Sequence, residues 1–347
     1  MKLILIPALV LVIAAVPAAQ GEIPPWIKEV AAFWASGEID DAEFVAAIEY
    51  LIDAGVISVG DAEALSADSI TIGFIPVEKA DELTPKAEAL ALFLEERMPG
   101  IDVEIVVPTS YEAIIEGIRF GHIDAAFMDT GPAWITHSRT GAEVVLAEVV
   151  GGKINYQATA WVLADDDSVD TIEDTLGKRV AFTSITGSSG FVRPVGGLVS
   201  SGAISIPGDD IVALEMALSD SFEEHTFAGG YKAALELLLG GKVDVAFGSD
   251  IAPAKYLDEQ DRARVKAAAI SGAVPSHAFV VGPDVTESEE KALVSALIEL
   301  NREEYNHILR DLYGAEALLP TTTAMHVGDF GSNIDRLAGL DALMLDK

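Results

Sequence analysis

The stretch Thr183-Ser184-Ile185-Thr186-Gly187-Ser188-Ser189-Gly190-Phe191 gathers hydroxyls and glycines between an apolar run and a helical pattern. As a strand, loop and helix start, it can turn backbone N–H groups, the hydroxyls of Thr186, Ser188 and Ser189, and a helix N-terminus toward one small anion. Gly187 leaves room for the backbone to approach, and no lysine or arginine is required. The same residues also make an ordinary N-cap and turn. Pro108-Thr109-Ser110-Tyr111 repeats the arrangement, with Ser110 as N-cap and Tyr111 in the first helical turn. A phenol there can reach a cleft or pack half-buried, and Tyr156 and Tyr231 carry the same two readings.

Hydrolytic chemistry has weaker support. The 6 histidines, at 122, 137, 225, 277, 307 and 326, show neither His-x-His nor His-Glu-x-x-His spacing, and cysteine is absent, so a zinc site is not expected. Gly187-Ser188-Ser189-Gly190 lacks the spacing of a nucleophile elbow. These patterns point to binding without catalysis, metal or cofactor.

The elements that must position these residues alternate in type. Apolar runs at Ile70–Ile75, Val103–Val107, Ile123–Met128, Val144–Val150, Tyr156–Ala164, Val180–Thr183, Ile211–Leu214, Val243–Phe247 and Ala278–Val281 read as strands. Helical spacing occupies Pro85–Met98, Ser110–Phe120, a segment near Trp134, Gly190–Ser201, Lys232–Leu239 and Ser288–Leu312. The class is α/β. One pattern occurs twice: Gly117-Ile118-Arg119-Phe120-Gly121-His122-Ile123-Asp124-Ala125-Ala126-Phe127 is echoed by Leu238-Leu239-Gly240-Gly241-Lys242-Val243-Asp244-Val245-Ala246-Phe247. Each copy is a helix end, a glycine turn and a buried strand entered through Asp. Two copies imply two lobes of similar build, 69–155 plus 280–347 and 156–279, with a ligand cleft between them.

The chain opens with Lys2 and the apolar run Leu3–Ala15, followed by small residues to Gly21. Residues 1–21 read as a secretory signal, since a membrane span needs roughly 20 apolar residues. Residues 22–66 read as a small α-helical hairpin: Ile27, Val30, Phe33 and Trp34 fall at helical spacing, and after a turn Phe44, Ile48, Leu51 and Ile52 do so again. A spacer or wall-anchoring role fits it. With 56 acidic against 22 basic residues and a net charge of −34, nucleic acid is excluded as a partner. An exported protein, soluble after signal removal, is expected, with monomer as the default state.

Several segments together carry a resemblance over about 69–330. They are Gly73-Phe74-Ile75-Pro76 with Glu78, Ala87-Glu88-Ala89-Leu90, Pro108-Thr109-Ser110-Tyr111-Glu112-Ala113-Ile114-Ile115-Glu116-Gly117, Ile123-Asp124-Ala125-Ala126-Phe127, Gly187-Ser188-Ser189-Gly190-Phe191 and Val243-Asp244-Val245-Ala246. In order and spacing these resemble the periplasmic phosphate, phosphite and phosphonate-binding proteins of ABC transporters. The resemblance implies a two-lobed Venus-flytrap fold of the second periplasmic-binding type. It further implies a small anionic solute in the interlobe cleft, delivery to a membrane permease, and no catalysis. Residue by residue, Tyr111 and Tyr156 fall on two cleft tyrosines, and Ser188 and Ser189 on the loop around the phosphonate oxygens. At that loop Gly187 stands where the family often has Ser, and Thr186 can supply the missing hydroxyl. Two departures stand out. Tyr231 occupies the position of an oxyanion-binding histidine. Asp250 supplies one family acid, but His277 in Val274-Pro275-Ser276-His277 replaces the second, which implies weaker binding of aminoalkylphosphonates.

Overall fold

Two sheets organise the computed structural model, which describes residues 68–74 and 80–345. The signal segment, the 22–66 hairpin, Ile75, Pro76 and Glu78 lie outside the described residues. In the first sheet β1 (Ser69–Gly73) runs parallel to β2 (Asp102–Val106) and β3 (Ala125–Met128). β4 (Glu143–Val149), β10 (Ala278–Val281) and β11 (Ala317–Pro320) complete it in the order β11-β4-β10-β3-β1-β2. The second sheet holds β5 (Asn155–Leu163), β6 (Arg179–Phe182), β7 (Glu224–Phe227), β8 (Val245–Ser249) and β9 (Val265–Pro275), ordered β7-β6-β8-β5-β9. All these elements belong to one compact unit, Leu65–Lys347. The fold is two-lobed α/β, and each lobe has its own aromatic centre. Phe127 packs 5.6 Å from Phe74 and 4.7 Å from Phe279, while Phe182 packs 5.0 Å from Phe191 and 5.1 Å from Phe247.

The chain passes between the sheets at 150–154 and again at 276–277. The two crossings are sewn together: Ser276 donates its N–H to the Ile154 carbonyl at 2.9 Å, and Glu148 donates its N–H to the His277 carbonyl at 3.0 Å. The Ser276 hydroxyl adds a bond to the Glu148 carbonyl at 2.5 Å. Buried backbone groups here have partners on the neighbouring crossing, as a connection without regular secondary structure requires.

The repeated glycine-turn-Asp pattern is structural. Gly121 and Gly241 sit at φ 65° and 63°, a conformation open to glycine at little cost. The following Asp then clasps a neighbouring strand in both directions. Asp124 donates its N–H to Thr71 O at 2.9 Å while its carboxylate accepts Thr71 N–H at 2.7 Å. Asp244 does the same to Arg179, at 2.8 and 3.0 Å.

Helices α1 (Ala80–Glu95), α2 (Tyr111–Arg119) and α3 (Thr130–Thr140) belong to the first lobe. α4 (Arg193–Ser200), α5 (Ile211–Ser221), α6 (Tyr231–Leu239), α7 (Ala252–Tyr256) and α8 (Glu259–Arg262) follow in the second. The segment Ile211–Leu214, expected as a strand, is the first turn of α5. Asp210 caps it by accepting Ala213 N–H at 2.9 Å, and Ala213, Leu214, Ala217 and Leu218 form its buried stripe while Val212 and Met216 face solvent. The cap and the three- and four-residue spacing outweigh the β-branched pair Ile211-Val212. The strand of this region is β7. The expected long helix at 288–312 is two, α9 (Glu287–Glu299) and α10 (Asn306–Tyr313), and α11 (Thr323–His326), α12 (Gly328–Arg336) and α13 (Leu340–Leu345) close the chain.

Candidate functional site

On the second lobe, β6 ends in the hydroxyl-rich loop. After Gly187 the chain enters a π-helical turn, Ser188–Val192, that continues into α4. Such turns widen a helix locally and recur at functional sites. The loop is wound tightly on Thr183: a Cβ at Gly190 would stand 2.1 Å from Thr183 Oγ1, and one at Gly187 2.3 Å from the same atom. Glycine at both positions is therefore a packing requirement. Thr186 is buried, Ser188 is half-buried and Ser189 is fully buried. Ser189 Oγ lies 2.9 Å from the Tyr231 hydroxyl at the start of α6. Tyr156, on β5, joins them. Burial, Tyr231 and Asp129 push its phenol well above the ordinary tyrosine range, with a hydrogen bond to Ser189 acting the other way. The Tyr156 phenol is a neutral donor at any physiological pH.

On the first lobe, Ser110 caps α2, accepting Ala113 N–H at 3.3 Å, and Tyr111 follows as the first helical residue. Its hydroxyl donates a short hydrogen bond to Asp129 Oδ2. Burial and then Asp129 push its phenol far upward. Asp129 occupies the N-cap position of α3, immediately after β3, but its side chain makes no capping bond. Its other oxygen, Oδ1, is 2.9 Å from Nε2 of His277. Nδ1 of the same ring stands 3.4 Å from Glu148, whose side chain is 2% exposed. Burial alone would lower the imidazole pKa; the two carboxylates outweigh it and hold His277 up to about 10. The ring is a cation at neutral pH.

The sequence-derived residues thus fall into two groups. Tyr156, Ser189 and Tyr231 form one hydroxyl cluster with Thr186, Gly187 and Ser188 on the adjoining loop. Tyr111 and His277 meet at Asp129, whose charge also adds a small upward push to the Tyr156 phenol. Asp250 is engaged differently: it exchanges bonds with the hinge strand, giving its N–H to Gln157 O at 2.9 Å and accepting Gln157 N–H on Oδ1 at 3.2 Å. This is the same clasp that Asp124 and Asp244 make. Asp129 and Glu148 escaped sequence reasoning. Asp129 could have been found, because Met128-Asp129-Thr130-Gly131 stands between a strand and a helix as Pro108-Thr109-Ser110 does. Glu148, inside an apolar strand, carries no local signal.

The second lobe thus carries a hydroxyl cluster at a helix start, and a Tyr–Asp–His set lies on the first. Residues 72–325 match the family of periplasmic substrate-binding proteins of phosphonate ABC transporters. The chain belongs to this family. It is 28% identical over 232 residues to the phosphate-import protein PhnD of Mycolicibacterium smegmatis, covering 63% of this chain and 69% of that protein. In structure it is similar to XAC2383 of Xanthomonas citri, solved with a chloride ion, at TM-score 0.61 and 16% identity over 78% of this chain and 99% of the other. PhnD1 of Prochlorococcus marinus, solved with methylphosphonate, aligns at TM-score 0.50 and 16% identity, again over 78% and 99%. The two structural likenesses establish the fold. As a member of the phosphonate-transporter family the protein is a solute-binding component that serves a membrane ABC transporter. Among the described residues no helix is long and apolar enough to cross a membrane.

Proposed function

We propose that this protein captures a small phosphorus oxyanion, a phosphonate, phosphite or phosphate, in the cleft between its lobes and hands it unchanged to the permease. The observation that carries the reading is the cluster of Ser189, Tyr231 and Tyr156 hydroxyls at the entrance to the helix 188–200. Neutral donors and a helix N-terminus bind an oxyanion without importing a cation. Tyr231 thereby fills the role of the oxyanion-binding histidine that the resemblance led us to expect. His277 offsets part of the negative charge of Asp129 and Glu148, which lowers the repulsion an incoming anion meets.

In this reading the lobes are the expected ones with the second boundary drawn back from 279 to the 276–277 crossing, because β10 lies in the first sheet; residues 1–21 direct export, and the 22–66 hairpin is a spacer between cell surface and receptor. The receptor acts as a monomer and closes around its ligand by bending at the paired crossings. Calorimetric titration with methylphosphonate, phosphite, phosphate and sulfate tests the assignment. Binding of at least one phosphorus compound, tighter than sulfate and weakened by Ser189→Ala, supports it. Binding of sulfate alone reassigns the site to another small anion.

A further inference from the structure

Next to the hydroxyl cluster lies a pocket of about 110 Å³ whose walls include Tyr156, Tyr231, Ser249, Ile251, Lys255 and Tyr256. It shares Tyr156 and Tyr231 with the proposed oxyanion site. Tyr231 and Tyr256 stack with ring centres 6.1 Å apart at 19°, which makes one flat apolar wall. Lys255, on α7, brings its ammonium to 5.4 Å from the Tyr256 ring. Lys232 sits beside Glu236 and Lys266 beside Asp167. Lys255 instead faces an aromatic ring at the rim of a pocket. The acids that could have received an amine near the cleft are engaged elsewhere: Asp250 accepts Gln157 N–H, and Asp129 holds Tyr111 and His277.

A pocket of this size takes a short arm. Its tyrosine walls suit methylene groups, and its one charge is positive. We propose that this side pocket receives the organic arm of a phosphonate and that Lys255 pairs with a carboxylate on that arm, making short phosphonocarboxylates the preferred ligands. The inference rests on the oxyanion reading above and extends it to the substituent. It reverses the charge preference that an aminoalkylphosphonate receptor would show.

Titration of the wild-type protein, Lys255→Gln and Lys255→Arg with phosphonoacetate, phosphonopropionate, methylphosphonate and aminoethylphosphonate tests it. A charge-assisted contact predicts that one of the two phosphonocarboxylates binds the wild-type protein about 10-fold or more tighter than methylphosphonate. In Lys255→Gln that ratio falls towards one, and Lys255→Arg retains most of it. The proposal is overturned by a wild-type ratio of one or less, by tighter binding of aminoethylphosphonate, or by a Lys255→Gln effect equal on all phosphonates, which would mark a general charge effect. Methylphosphonate binding in those cases leaves the oxyanion reading standing. Failure of all four compounds to bind overturns this proposal, while phosphite and phosphate binding decide the oxyanion reading separately.

Discussion

Nε2 of His277 lies 2.9 Å from Oδ1 of Asp129, and this contact ties the second interlobe crossing to the N-terminus of α3. The same ring reaches toward buried Glu148 at the end of β4, next to the first crossing. One cation therefore stands between two carboxylates where the lobes join. An acid at position 277 would have put three negative groups together. The histidine makes the cluster compatible with burial, because a buried carboxylate needs a partner.

The first consequence is a pH dependence. The folded-state pKa of His277, about 10, is raised above the ordinary histidine value of 6.5. Its contribution to stability is fully present below about 6.5 and is lost as pH rises through about 10. Urea unfolding of the wild type and His277→Gln across pH 6 to 10 should show a difference that is largest at pH 6 and shrinks towards pH 10. The ring is 38% exposed, so solvent screens the pair and we expect about 1–3 kcal/mol at neutral pH. A gap that stays constant over this range would assign His277 a packing role only.

The hydroxyl cluster supports a second prediction. Ser189→Ala removes the partner of Tyr231 from a fully buried position. We expect about 1 kcal/mol lower stability and about a 10-fold or greater loss of oxyanion affinity. Tyr231→Phe keeps the ring stacked on Tyr256 and should lose affinity with little change in melting temperature. Equal affinity in Tyr231→Phe and the wild type would remove Tyr231 from the site.

Much of this arrangement is legible in the sequence because it is local. The Ser188-Ser189 loop, the Ser110-Tyr111 cap and the glycine-turn-Asp repeat each lie within about a dozen residues, and each appears where strand, loop and helix signals predict it. What was hidden depends on pairing between distant segments. Asp250 reads as a ligand by position and clasps Gln157 because β5 and β8 are neighbours in space. Asp129 stands at a helix N-cap position, and His277, far along the chain, draws its carboxylate elsewhere. Ile211-Val212 reads as strand by side-chain type, yet Asp210 and the apolar spacing after it make a helix.

The two copies of the glycine-turn-Asp unit provide an internal control. Asp124 and Asp244 make equivalent backbone clasps, but Asp244 also holds the Arg179 guanidinium at 2.5 Å, and that contact lowers its carboxyl pKa. Burial raises that of Asp124. Asparagine can still accept the strand N–H at either site. We expect Asp124→Asn to change stability by no more than about 0.5 kcal/mol and Asp244→Asn to cost about 1 kcal/mol through the lost ion pair. The Asp244 term requires the ionised carboxylate, so it should vanish as pH falls through its depressed folded value. Chemical unfolding at pH 7 and at pH 3 separates the two; a larger loss in Asp124→Asn would contradict the assignment.

Gly190 provides the sharpest test of the loop geometry. A methyl group there would overlap Thr183 Oγ1 and Cγ2, at 2.1 and 2.5 Å, and Thr183 is itself buried. The loop and the end of β6 cannot both keep their places. Gly190→Ala should cost about 1–3 kcal/mol by overpacking and shift the Ser188–Val192 turn away from Tyr231, with oxyanion affinity falling along with stability. Cutting back the opposing side chain removes the two shortest contacts and leaves only Thr183 Cβ at 2.8 Å: Thr183→Ala in the Gly190→Ala background should recover part of both losses, while Thr183→Ala alone should be mildly destabilising through its cavity. Strict additivity of the two substitutions in thermal unfolding would mean that the residues do not meet as described. Recovery of stability without recovery of binding would place the ligand's contacts on this loop at the Thr183 hydroxyl itself.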